Sequence, residues 1–556
     1  LPSGTESDVR FPKAGVYKYY CTYHGTKDGK GMAGVVVVGD VAYSPSPRGG
    51  ELKTVATPSG VTRKVPSQYP TIQSAVDAAQ PGDLVLIDRG IYKEEVTVTT
   101  PSLVIRGVDR NETIVDGEFV RGNGVAVLAD GVAIENMTAR NAVLNGFYWT
   151  GVTGFRGSYL TAYNNGDYGI YSFGSHDGAF ENSYASGSPD SGFYIGECFP
   201  CRIVVRNVVA EHNALGYSGT NSGGDMFIVS SIWRDNRVGI VPSSLDLELL
   251  PPQRNATIVG NLIVGNSSRT APAAPLPSVA YGSGIIIVGG IGNLVENNVV
   301  ADHPLDGIVI VPMYDKNFWP SRDNVIRNNH VFNSGRADLA LGGPSSSGNC
   351  FAGNVYQTSA PAGLEHFHGC GGLRLPFGYD LTPLTGILGV RGAHADGVFP
   401  DYRTQPVPPP QAQMPGGADA PVRPAMQVFE NLHFDLASVQ PPAEAAAYLA
   451  DHERAAPTQR YALAGLWRWS YHLLFVIWLG WLLLALRDLY RREDFSPTSR
   501  IVWTLFIVML PFLGALLYFI TARPGLSRTV RSLAVVGGIG IYLLILVSGA
   551  LIYGNR

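Results

Sequence analysis

Apolar strands that open on glycine recur along the middle of the chain. They begin at Gly146-Phe147-Tyr148, Gly169-Ile170-Tyr171, Gly192-Phe193-Tyr194, Gly216-Tyr217 and Gly239-Ile240-Val241, in steps of 23, 23, 24 and 23 residues. A second series keeps similar time: Asn136, Asn182, Asn207, Asn261, Asn298, Asn329 and Asn354 each open a short run of the same kind. A repeat in the low twenties with no helix between its strands leaves few possible folds. One such unit cannot bury its apolar strip alone and must stack on copies of itself. The expectation is a β solenoid with Val, Ile, Leu and Phe turned inward. Corner asparagines would ladder their amides from coil to coil and satisfy turn backbone groups. Roughly a dozen coils at about 4.8 Å each make a rod about 55–60 Å long. A Pro/Ala/Ser insertion around Ser267 to Ser283 and the loop Met313 to Asp323 interrupt the rhythm.

The repeats are preceded by Tyr69 to Ala79, an amphipathic helical pattern with Ile72, Ala75, Val76 and Ala79 on one face. Pro81-Gly82-Asp83, the strand Leu84 to Ile87 and Gly90-Ile91-Tyr92 follow. This opening and the repeats behind it resemble right-handed parallel β-helix proteins of the pectin-lyase-like class, nearest to the sugar-hydrolase-like repeats. That group includes polysaccharide lyases and epimerases, and also the β-helix accessory protein of nitrous-oxide reductase maturation. Carbohydrate chemistry on such a scaffold needs paired carboxylates, or an Arg or Lys base near acidic groups. Asp167, His176, Asp177, Glu181, Glu197, Asp225 and Asp235 are the candidates, and none falls into a motif of polygalacturonases, pectate lyases or pectin methylesterases. Solenoid corners also use Asp and His as turn residues. His366 and His368, beside Glu365, could hold a metal or form a solvated loop.

Residues Tyr19 to Val38 carry a different chemistry. Cys21 offers a thiolate, His24 an imidazole and Met32 a thioether, three donors of a blue-copper site that a second His would complete. The order Cys-x2-His-x7-Met on one loop between two strands, with Gly15, Tyr17, Tyr19 and the Gly31 to Gly34 turn, resembles the C-terminal end of plastocyanin/azurin cupredoxins. The resemblance implies one type 1 copper ion, with the second His ligand upstream of Leu1.

Five cysteines are present in the 556 residues. Cys198 and Cys201 form a CxxC, and Cys350 and Cys370 lie about one repeat apart. Two disulfides and one metal thiolate would use all five, which fits an oxidising compartment. A net charge of -4 implies no general affinity for nucleic acid.

After the repeats, Gln405 to Pro424 is Pro-rich, a semi-rigid connector or a strap along the solenoid. Pro441 to Ala456 suggests a short Ala- and Glu-rich helix. Three apolar runs follow, Trp469–Leu486, Ile501–Thr521 and Leu533–Tyr553, each near the ~18–20 residues that cross a bilayer. The second run, from Trp503 through Pro511 to Tyr518, resembles the N-terminal membrane segment of cardiolipin synthases of the phospholipase D class. The His-x-Lys pattern of that class is not in the chain, so the resemblance implies a membrane hairpin. Arg487, Arg491, Arg492 and Arg500 would face the cytoplasm after the first span. Arg523, Arg528 and Arg531 would then fall outside, against the positive-inside rule.

The expected fold is therefore mainly β: a partial cupredoxin sandwich, a right-handed parallel β-helix, then three transmembrane α-helices. The expected domains are 1–40 (cupredoxin part), 41–64 (linker), 65–385 (β-helix), 386–465 (Pro-rich linker and short helix) and 466–556 (membrane domain). The leading functional expectation is a multi-pass, extracytoplasmic blue-copper electron-transfer protein rather than a catalyst. Its β-helix would dock a redox partner protein, with membrane complex subunits alongside. The alternatives are a copper-handling assembly factor and a surface carbohydrate-active β-helix enzyme, glycan binding being possible in either frame.

Overall fold

A computed structural model describes residues 15–25, 31–38, 60–273, 281–343, 348–372, 400–425, 436–455, 483–509 and 513–521, with a few isolated positions besides. The chain divides into two compact units, Leu1–Ala455 and Ala456–Arg556.

The first unit is built on a stack of parallel coils. The third strand of each coil joins an 11-stranded parallel sheet. Two further parallel ladders run through Leu84–Ile87, Val104–Gly107 and Ile203–Arg206 on one side, and through Gly90–Tyr92, Tyr184–Ser186 and Val299–Ala301 on the other. Register holds coil to coil: Phe147 faces Ile170, which faces Phe193, all fully buried. Since strand side chains alternate, the residues one step on, Tyr148, Tyr171 and Tyr194, line up on the outer face.

The recurring glycine has a steric cause. A Cβ at Gly146 would lie 2.6 Å from the Gly169 carbonyl oxygen, and one at Gly169 would lie 2.7 Å from that of Gly192. No real Cβ sits so close, so each coil needs glycine where the next one's backbone passes.

The asparagine series divides into two positions, where one had been expected. Asn261, Asn298, Asn329 and Asn354 form the interior ladder, each amide donating to the next side-chain oxygen at 2.9 Å. Glu365 ends that ladder by accepting from Asn354 at 2.7 Å. Asn136, Asn182 and Asn207 instead hold left-handed backbone, at φ 53°, 50° and 51°. Asn tolerates that conformation because its short side chain bonds locally. Two more buried ladders run Gln253–Asn293–Asn324–Asn349 and Asn213–Asn236–Asn266, the second ending on His303.

The cap helix spans Ile72–Ala78, shorter than expected, because Thr71 is its N-cap and accepts from Ser74 N at 3.1 Å. The Glu94 carboxylate takes the free amides of Ile72 and Gln73 at 2.9 and 3.0 Å. Cys198 is bonded to Cys201 and Cys350 to Cys370.

The Pro-rich segment is a strap laid along the coils. Arg110 donates to Ala412 O at 3.0 Å, and Arg106 donates to Ala420 O and Pro421 O at 2.6 and 3.0 Å. Asn111 and Gln411 exchange two hydrogen bonds of 2.8 and 2.9 Å. The helix Ala443–Ala455 lies where a short helix was expected, and Ala445 fills a cluster with Ile232, Leu262 and Val299.

Near the start, the strands Gly15–Gly25 and Gly31–Val38 pair antiparallel, with Tyr20 opposite Ala33. Cys21 and His24 thus lie on one strand and Met32 on the other, rather than on one loop as expected. Their side chains lie outside the described residues.

In the second unit, the single span expected over 501–521 is described as two helices, Pro497–Met509 and Leu513–Thr521. At 1.5 Å per residue these are about 20 and 14 Å long, against about 30 Å of bilayer core. Among the described residues, no helix is long and apolar enough to cross a membrane. The runs 469–486 and 533–553 lie largely outside the described residues. Ala485, Leu489, Ile507, Ala515, Tyr518 and Phe519 form this unit's core, and Tyr518 donates to the buried Asp488 at 2.7 Å.

Candidate functional site

The outer face of the 11-stranded sheet carries stacked tyrosines beside several carboxylates. Tyr148 stacks on Tyr171 with centroids 4.8 Å apart and planes 10° apart. Tyr168, in the turn just before Tyr171's strand, stacks on Tyr171 at 4.4 Å and lies 4.8 Å from Tyr194. Tyr148, Tyr171 and Tyr194 are buried, whereas Tyr168 is partly exposed.

Two aspartates border this platform one coil apart: Asp190 N donates to Asp167 O at 3.2 Å, so the two stand in register. Tyr168 Oη donates to Asp190 Oδ2 at 3.2 Å. On the far side the loop after strand Val238–Ser243 folds back over the sheet. Asn221 holds it, donating to Leu245 O at 2.7 Å and Glu248 O at 2.9 Å. Tyr194 Oη then donates to Glu248 Oε1 at 2.5 Å, and Leu249 N donates to Glu197 Oε1 at 2.6 Å. Glu248 Oε2 is buried and has no hydrogen-bond partner.

Burial dominates the electrostatics here. It pushes Glu248 up to about 8, with the charges of Glu197 and Asp190 acting in the same direction and the Tyr194 hydrogen bond against it. Asp190 is pushed up to about 6 by burial, and Asp167 well above the usual carboxylate range by burial and by Asp190. Tyr168, Tyr171 and Tyr194 are held protonated by burial and by these same carboxylates. Chemically, the site offers protonated carboxyl groups beside carboxylates that can ionise, the requirement for acid–base work near neutral pH.

Of the residues singled out in the sequence, Asp167 and Glu197 belong to this cluster. The others do not. Asp177 pairs with Arg202 at 2.5 Å and Glu181 with Arg206 at 3.1 Å, on a different sheet. His176 Nδ1 bonds Pro200 O at 2.8 Å, and burial lowers its pKa. Asp225, at a register shift in the strand Gly223–Val229, and Asp235, in the bend after Ile232–Arg234, hold left-handed backbone at φ 50° and 54°. Glu365 ends an asparagine ladder, and His366 lies against the Phe367 ring. Among the described residues no group of His, Cys, Asp and Glu is placed to hold a metal ion. Asp190, Glu248 and the tyrosines were missed, although Tyr148, Tyr171 and Tyr194 keep the same period as the glycines.

Residues 145–311 match the family model described as right handed beta helix region, and residues 480–523 match the phospholipase D-nuclease N-terminal model. No curated protein matches the chain. Among solved structures, it is similar to the A-module of the Azotobacter vinelandii mannuronan C-5 epimerase AlgE4, at 16% identity and a TM-score of 0.37, over 51% of this chain and 90% of that one. A Paenibacillus alginate lyase is similar at 17% identity and a TM-score of 0.31, over 52% and 93% of the two chains. The catalytic unit of a Streptomyces thermodiastaticus GH87 alpha-1,3-glucanase gives 14% identity and 0.35, over 55% and 66%.

Proposed function

We propose that the first unit is a glycan-acting β-helix enzyme that cleaves glycosidic bonds by acid–base catalysis at Glu248 and the Asp167–Asp190 pair. A fold alone does not carry function, so the reading rests on the site. One observation carries it: Glu248 Oε1 is taken by Tyr194 while its buried Oε2 has no partner. With its carboxyl pushed up to about 8, Glu248 keeps a proton at neutral pH that a leaving oxygen brought within reach of Oε2 would take. In the reaction that oxygen takes the Glu248 proton as its bond to the anomeric carbon breaks. Water attacks the same carbon and gives its proton to an ionised aspartate of the pair. The two disulfides support an oxidising compartment, where surface glycans are met. Neither family match covers Cys21, His24 or Met32.

The test is a reducing-sugar assay on the full chain over a panel of polysaccharides. Glu248→Gln should lower kcat by about 10²–10⁴-fold with KM little changed. Equal turnover by the variant would remove Glu248 as the acid, and no release from any polysaccharide would remove the activity.

A further inference from the structure

The loop that brings Glu248 to the tyrosine platform also carries three leucines. Leu247, Leu249 and Leu250 lie within two residues of the acid and are 78%, 47% and 44% exposed. A run of exposed apolar residues costs a fold solubility and contributes nothing to its core, so it marks a contact. Just before them, Asp246 ties on the hairpin of strands Met313–Tyr314 and Phe318–Trp319. Its carboxylate accepts from Asn317 N and Nδ2 at 2.6 and 2.7 Å and from Trp319 Nε1 at 3.1 Å. Its own N donates to Asp315 Oδ2 at 2.8 Å, and the Lys316 charge acts on the same carboxylate. The polar groups of this junction are thus turned on one another. Tyr314 and Phe318, with rings 4.7 Å apart, are left exposed on the hairpin. The other exposed large apolar residues of the first unit are scattered along the chain.

We propose that the glycoside cleaved here carries an apolar aglycone: the leaving group is an alkyl or aryl alcohol, as in a glycolipid. The inference rests on the glycan reading above and deepens it. In that reaction Glu248 protonates the leaving oxygen, while the Asp167–Asp190 pair takes the proton of the water that attacks from the opposite side. The sugar under attack therefore lies over the partly exposed Tyr168 ring. Whatever hangs on the leaving oxygen lies on the Glu248 side, where the leucines are. A sugar placed there would set its hydroxyls against apolar side chains. An alkyl or aryl group would instead take both surfaces out of water. The bond from the anomeric carbon to the leaving oxygen breaks, the alcohol departs with the Glu248 proton, and the water oxygen stays on the sugar. Sugar leaving groups are cleaved too, more slowly.

The experiment is an initial-rate assay of the full chain on matched methyl and octyl glycosides of glucose, galactose, mannose and N-acetylglucosamine. Octyl glycosides are kept too dilute to form micelles, and released sugar is the readout. For a sugar the site accepts, the octyl glycoside should exceed its methyl partner at least about tenfold in kcat/KM, since each buried methylene is worth about fourfold. Leu247→Ser, at a position too exposed to hold the fold, should cut that ratio by about three- to tenfold. A purely structural defect would lower both rates together. Equal kcat/KM within each pair, or turnover of polysaccharides with no octyl glycoside cleaved, would overturn the apolar aglycone and leave the glycan reading standing. Leu247→Ser that changed the oligomeric state and left the ratio alone would give the leucines to a second copy of the chain and overturn it as well. Sugar released from neither glycosides nor polysaccharides would overturn the glycan reading itself.

Discussion

Glu248 lies 54 residues from Tyr194 in sequence and 2.5 Å away in space, a distance set by one folded-back loop. Its raised pKa has consequences for stability as well as for proton transfer. In the unfolded chain a glutamate titrates near its ordinary value, about 4.3, and in the folded chain near 8. The folded state thus holds the proton more tightly. The associated stability is fully present below the unfolded pKa and is lost as pH rises through about 8. Glu248→Gln, which cannot ionise, should melt at a higher temperature than wild type at pH 9, with the difference vanishing at pH 4. Thermal melts at the two values check this, and equal shifts at both would contradict the buried acid. At this scale the sequence disclosed only part of the site. Asp167 and Glu197 stood out as acidic residues within the repeats. Asp190 sits one coil after Asp167, but neither the glycine nor the asparagine period marks it. Glu248 belongs to a loop outside the rhythm, and a repeat pattern says nothing about which way such a loop folds.

At the scale of elements, the coils were legible because their demands are local and recur. A glycine is needed wherever one backbone passes another, and an asparagine wherever a corner must be satisfied from the coil beside it. The sequence alone did not separate ladder asparagines from left-handed ones, since both sit at the same corner one residue apart. Energetics separates them. Asn298 accepts from Asn261 N and Nδ2 and donates to Ile258 O and Asn329 Oδ1, all at 2.9 Å and fully buried. Asn298→Ala leaves these partners unsatisfied and should cost about 2–4 kcal/mol. Asn207 makes one long contact of 3.4 Å, exposed, so Asn207→Ala should cost no more than about 1 kcal/mol, mostly for its left-handed backbone. Urea denaturation of the two variants tests the order, and equal costs would refute the division. The apolar runs near the end show the opposite limit: hydropathy counts residues in a row, and composition alone does not reveal the helix lengths.

At the scale of the first unit, the strap ties several coils together. Gln405 O accepts from Asn164 at 3.0 Å, Gln413 bonds the Asp109–Arg110 turn, and Ala425 N donates to Gly131 O at 2.8 Å. The chain then runs back, Gln440 O accepting from Ser230 at 2.9 Å and Val439 O from Asn297 at 3.2 Å. A bare solenoid couples each repeat only to its neighbours and can fray from either end. Here, loosening a coil that the strap holds also strips a tether shared with the other coils it binds. The β-helix should therefore melt as one unit, its calorimetric and van't Hoff enthalpies agreeing. Arg110→Met, which releases the carbonyls of Ala412 and Leu160, should split that transition and open the strap to protease. The Pro-rich stretch is in effect a girdle that turns a row of weakly linked repeats into an all-or-none body.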